Sequence, residues 1–234
     1  MNLMKNISFV NVGSLILIVF LVILTTSIQE SQENRFYESL PRVKKNYKIE
    51  HLPVLEHKLV KMNYEMFYVG KQTPSIEPDY CFSNSNKNSI YDTDEKKGLE
   101  ILVDTTQIIF KKSNYGNDFG KSHPVFLYNF SKEKQVIGFG SLLYMNLEAK
   151  NGNGDWKPVE IQYHYYCGTG VYSYTLDENE ICVSSVYKYS GDFKTKLRLR
   201  HLGNYSNEFE GYVNLDEFGE YDTEEENSLR VIKK

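Results

Sequence analysis

Polar and apolar residues alternate most cleanly late in the chain. Over residues 194–201, Lys194, Lys196, Arg198 and Arg200 take turns with Thr195, Leu197, Leu199 and His201. A period of two predicts a strand with one charged face and one face on a core. Phe209, Gly211, Val213 and Leu215 repeat the pattern against Glu208, Glu210, Tyr212 and Asn214. Residues 99–110 are rich in β-branched side chains and predict another strand. Turn-forming clusters at 114–118, 151–155, 168–170, 177–179, 190–192 and 203–204 separate further strand-sized segments, the signature of an antiparallel sandwich or barrel. Upstream, Val54, Leu55, Lys58, Leu59 and Met62 follow helical spacing, so a helical turn is expected before a short aromatic strand at 64–69. Residues 71–98 collect Pro74, Pro78, Ser83, Asn84, Ser85 and Asn86 and read as a long loop.

The chain opens on a different pattern. Lys5 precedes an apolar run over 12–24, and counted from Ile7 to Ile28 the stretch has the length of about 20 residues that a bilayer core requires. An uncleaved signal anchor is the first expectation, with Lys5 inside and the C-terminal bulk outside. A cleaved signal peptide is the second, although Thr25, Thr26 and Ser27 form no A-x-A-like site. A buried core helix is the third. No Cys closes the run, which excludes a bacterial lipoprotein anchor. The expected order is then a signal anchor or signal peptide at 1–28, a polar stalk at 29–53, a strand-containing segment with its loop at 54–122, a β-sandwich at 123–218, and an acidic then basic tail at 219–234. The protein is placed in a membrane as a single-pass chain with its domain extracytoplasmic, or secreted or periplasmic after cleavage.

Composition sharpens this only at the edges. Of 234 residues, 14% are aromatic, with 19 Tyr and 13 Phe, which favours the half-buried surfaces of sheets. A net charge of −4 with no basic stripe argues against a nucleic-acid partner.

Within the C-terminal half, an early strand at 124–129 is followed by Leu147 and Glu148, a turn, Trp156 with Val159, an acidic turn at 176–180 and a late basic strand through Leu197, Arg198 and Leu199. In these features residues 124–218 resemble a bacterial immunoglobulin-like module. Glycine is absent from the acidic turn and from the approach to Arg198, where such modules often carry it. The resemblance implies an antiparallel immunoglobulin-like sandwich, and with the apolar run and polar stalk read above the expected fold is mostly β, that sandwich preceded by an N-terminal transmembrane helix and stalk. It implies no catalytic residues.

Candidate chemistry is sparse. His164 and Cys167 invite a thiol-nucleophile reading, but residues three apart on a strand point to opposite faces. Asn151, Asn153 and Asp155 have the spacing of the first calcium ligands, yet Trp156 stands where the loop needs Gly and Gln162 where it needs Glu. A hairpin turn explains the same residues. His51 and His57 lack zinc spacing and read as solvated side chains. Ser141 lacks the second glycine of a nucleophile elbow. No metal and no cofactor is expected. Tyr163, Tyr165, Tyr166, Tyr172 and Tyr174 cluster around the turn at 168–170 as cross-strand ladder residues or as a binding platform for a glycan or a protein. Cys167 and Cys182 bracket the short strand at 171–175 and are expected to form a disulfide, leaving Cys81 free. The function expected is that of a noncatalytic, membrane-anchored interaction or structural protein. A carbohydrate-binding module with a Tyr platform is the first alternative and an extracytoplasmic hydrolase the second.

Overall fold

The computed structural model describes residues 17–18, 40–43, 52–58, 61–62, 64–76, 87–88, 98–112, 119–139, 142–162 and 173–219. The chain divides into two units, 1–41 and 42–234. In the first, Leu17 and Ile18 are helical and exposed. No helix among the described residues is long and apolar enough to cross a membrane. The rest of the segment 1–28, on which the anchor expectation rests, lies outside the described residues.

The second unit is a mostly β, sandwich-like fold. Its main strands are β1 (Tyr68–Lys71), β2 (Leu99–Val103), β3 (Ile109–Lys112), β4 (Phe119–Asn129), β5 (Gln135–Phe139), β6 (Asn146–Lys150), β7 (Trp156–Pro158), β8 (Ser173–Leu176), β9 (Glu180–Tyr187), β10 (Phe193–His201), β11 (Asn204–Tyr205) and β12 (Phe209–Val213). Three antiparallel sheets carry them. The first has the order β1-β9-β4-β2, with β3 also on β4. The second runs from Tyr64–Glu65 through Leu142–Leu143, β5 and β8 to Lys87–Asn88. The third has the order β7-β6-β10-β11, with β12 also on β10.

One core collects the inward side chains of all three sheets. Ile101, Val125, Leu127 and Val186 come from the first, Ile137, Leu143 and Leu176 from the second, Leu147, Leu197, Leu199 and Val213 from the third. The central strands β4 and β9 are buried on both faces along most of their length, so their apolar stretches, Val125–Tyr128 and Ile181–Val183, run without alternation, and buried Ser122, His123, Ser184 and Ser185 share the strands. The first and third sheets are tied where Asn207 mimics a strand: its Oδ1 accepts from Val103 N at 2.8 Å and its Nδ2 donates to Val103 O at 3.1 Å.

Several elements differ from expectation. Leu55–Glu56 is no helical turn but a strand parallel to Tyr189–Ser190. Two residues of the expected stalk, Arg42–Val43, pair in parallel with Ser75–Ile76, and Val43 is buried. The same pairing, with Lys87–Asn88 on β8, places strand structure inside the expected loop 71–98. The strand over 99–110 is two, because the Asp104 carboxylate takes hydrogen bonds from Thr106 N, Thr106 Oγ1 and Gln107 Nε2 and turns the chain. The alternation over 194–201 holds throughout: Leu197, Leu199 and His201 are buried while Lys194 and Lys196 are exposed. At the end of β12 it stops, since the strand closes at Val213 and Leu215 sits exposed in a 3-10 turn.

Candidate functional site

The densest set of chemistry-bearing groups lies inside the fold. Glu160, just past β7, is almost wholly buried, and both of its carboxylate oxygens accept a tyrosine hydroxyl: Tyr64 at 2.5 Å and Tyr189 at 2.8 Å. Lys111 of β3 is buried beside them. Its ammonium donates to Ser185 O at 3.1 Å and lies over the rings of Tyr64 and Tyr187 at 4.6 and 4.7 Å. Burial pushes the Lys111 ammonium down to about 8, against the opposing pull of Glu160 and Glu65. Burial also pushes the Tyr64 and Tyr189 hydroxyls well above their ordinary range, and the Glu160 charge adds to the shift. Both phenols therefore keep their protons and donate them to the carboxylate. A softened lysine beside tyrosine hydroxyls has the parts of an acid–base site, but none of these five side chains exceeds 7% exposure in its residue. The set is a sealed polar centre that joins Tyr64, β3, the segment after β7 and the end of β9.

His57 extends it. Its Nδ1 accepts from Asn214 N at 3.0 Å, so the proton sits on Nε2, which donates to Val159 O at 3.0 Å. Its ring also meets Tyr189 edge-on. The expectation of a solvated His57 is thus corrected, because a completely buried imidazole satisfies two backbone groups. His201 is buried too and bonds Tyr144 O at 2.6 Å; burial holds its pKa near 4 although the carbonyls of Tyr144 and Val136 oppose that.

The turn at 151–155 closes as a hairpin. Asn151 Oδ1 accepts from Asn153 N and Asp155 N, each at 2.9 Å, and Gly154 takes a positive φ. The residue offered as a first calcium ligand holds the turn instead. Tyr174 is a core side chain on β8 with 3% exposure, not an exposed platform ring; Tyr163, Tyr165, Tyr166 and Tyr172 lie outside the described residues. Cys182, expected in a disulfide with Cys167, carries a free and completely buried thiol on β9. Cys167, with His164, His51, Ser141 and Cys81, lies outside the described residues.

The accessible candidate is the outward face of the third sheet. Across four neighbouring strands it sets Trp156 on β7, Glu148 and Lys150 on β6, Arg198 on β10 and Tyr205 on β11. The Arg198 guanidinium is clamped between Trp156 at 4.1 Å and Tyr205 at 3.9 Å, and its Nε donates to Glu148 at 2.6 Å. Lys150 covers Trp156 at 4.9 Å and pairs with Glu208. Lys194 pairs with Glu210 at 2.8 Å. Lys196 is exposed and lies opposite Glu210 on β12. Tyr205 and Tyr212 are 48% and 43% exposed. With Arg200 of β10, this face presents five cations and three carboxylates among the described residues. The alternation of residues 194–200 announced this face in the sequence. Tyr205 did not announce itself, because only the β10–β11 hairpin brings it over Arg198. Glu160 and Lys111 carried no signal either, since a charged residue near a strand end usually reads as solvated. No protein-family model, no curated protein and no solved structure matches the chain.

Proposed function

We propose that the chain is a noncatalytic interaction protein, held at a membrane by residues 7–28 and displaying an immunoglobulin-like β-sandwich on the extracytoplasmic side. The outward face of the third sheet is the surface that meets a protein partner. What carries this reading is the stack of Trp156, Arg198 and Tyr205. Tryptophan, arginine and tyrosine are the residue types in which binding energy concentrates, and here a carboxylate and two rings hold the guanidinium in one pose before any partner arrives. Five cations against three carboxylates favour a partner surface that presents acidic side chains. The polar centre around Glu160 supports the noncatalytic part, because its groups face one another and not solvent. The charged Lys5 ahead of the apolar run supports the placement outside.

The test is a photo-crosslinking residue at position 212 of the full chain, in intact cells. The expected result is an adduct with a second protein, open to added protease, in membranes that resist alkaline carbonate. Arg198→Ala should weaken capture by about 30-fold, the equivalent of a hot spot of about 2 kcal/mol. A carbonate-soluble chain, or a face that captures no second protein, overturns the reading.

A further inference from the structure

We infer that the acidic C-terminal segment of this chain docks on the basic face of its own third sheet and so competes with the partner proposed above; the inference rests on that assignment of the face. Where the tail leaves the fold is the first argument. Gly219 N donates to Pro158 O at 2.8 Å, so the chain departs from the outer edge of β7, the strand that carries Trp156. Charge is the second. Residues 220–226 hold Glu220, Asp222, Glu224, Glu225 and Glu226 with no cation among them. The face next to that exit carries Lys150, Lys194, Lys196, Arg198 and Arg200, with Lys194 and Lys196 sharing the single carboxylate of Glu210.

Reach is the third argument. From the outer edge of β7 to β10 the tail crosses about three strand spacings, roughly 14 Å, which extended chain covers in about four residues. That length of chain brings the acidic positions 222–226 within reach of Lys196 and Arg198. A short tether supplies an effective concentration of the order of millimolar, so a contact too weak to detect between separate molecules still keeps the face occupied.

Trp156 is the only tryptophan of the chain, so its fluorescence reports on this face alone. In the full chain at low salt, the variant Glu220→Gln, Asp222→Asn, Glu224→Gln and Glu226→Gln should raise acrylamide quenching of Trp156 about twofold, because removing the charges frees the ring. Adding salt to about 1 M, where screening reaches within about 3 Å, should raise quenching of the natural chain and leave the variant unchanged. Lys194→Gln with Lys196→Gln should reproduce the effect from the other side. Equal quenching of natural and neutralised chains at low salt overturns the inference, and so does a difference that grows with protein concentration, which would put the segment on a second copy. Crosslinking from position 212 keeps the two proposals apart: loss of the intramolecular adduct with retention of the adduct to a second protein refutes the tail and leaves the partner surface standing, and the reverse refutes the partner.

Discussion

Replacing Glu160 by Ala strikes the sealed polar centre at the group on which the others converge. The change leaves the Tyr64 and Tyr189 hydroxyls buried without their acceptor, each a loss of about 1–3 kcal/mol. It also removes the carboxylate that favours the buried Lys111 ammonium. Together these should cost about 3–5 kcal/mol, the range for breaking one side of a buried charged set. Lys111→Met takes away a charge that burial already penalises, so alone it should cost about 1 kcal/mol or less. Combined, the two should fall short of the sum by about 1–3 kcal/mol, since Lys111→Met removes the cation that needs the carboxylate. Chemical denaturation with an unchanged slope reads these values from the midpoint. The folded Lys111 pKa near 8 lies below its ordinary 10.5, so the penalty on the charged form is fully present below pH 8 and is relieved as pH rises above it. Between about pH 8 and 10 the natural protein should therefore gain up to about 3 kcal/mol relative to the Lys111→Met variant, while the buried Cys182, Tyr64 and Tyr189 lower the stability of both alike as pH passes their unfolded values. Additive single losses, or a Glu160→Ala cost under about 1 kcal/mol, would refute the reasoning.

His201 should make the protein acid-sensitive: its folded pKa of about 4 lies below the unfolded 6.5, so up to about 3 kcal/mol of stability is lost as pH falls through that window, and His201→Gln should flatten the profile. Burial raises the Cys182 thiol well above its ordinary range, so Cys182 should stay unlabelled by thiol reagents in the native protein and react on unfolding; rapid native labelling at Cys182 would contradict its place in the core. Gly138→Ala should cost about 1–3 kcal/mol or more, because its Cβ would overlap Leu142 O at the bulge of β5, whereas Gly152→Ala meets open space and should stay within about 0.5 kcal/mol in thermal melts.

Period-two alternation was the legible part of this chain. It located β10 and β12 and gave the side that faces the core, because a strand with one wet face writes its orientation into every second residue. Strand β9 was harder to read, since both of its faces are covered and Ile181, Cys182 and Val183 carry no alternation. The two-residue parallel pairs of Arg42–Val43 and Leu55–Glu56 were invisible: their partners lie far along the chain, and two residues hold no period. In the outer site, Arg198 was visible as a charged strand position while its clamp was not. Trp156 and Tyr205 reach it from strands on either side, and only sheet order brings them together. Asn151 was legible as chemistry but ambiguous as to which chemistry, because turns and cation loops use the same carboxamide oxygen.

The two polar clusters of this fold serve opposite ends. Around Glu160, a carboxylate, two phenols, an ammonium and His57 engage one another from five separated stretches of sequence, and a slip of any one by a single residue would turn its side chain to the other face. Such a set adds little net energy over apolar packing, since desolvation offsets most of the attraction. What it supplies is registry, which matters most where the pairings are only two residues long, as at Tyr64–Glu65 and Tyr189–Ser190. On the third sheet the same residue types are turned outward. There Glu148 and two rings fix one guanidinium at the surface, with Tyr205 half exposed beside it. The buried set closes on itself, whereas the Arg198 stack lies at the sheet surface beside the exposed rings of Tyr205 and Tyr212. That difference supports the proposal that a partner meets the sheet, while the set around Glu160 fixes the architecture of the core.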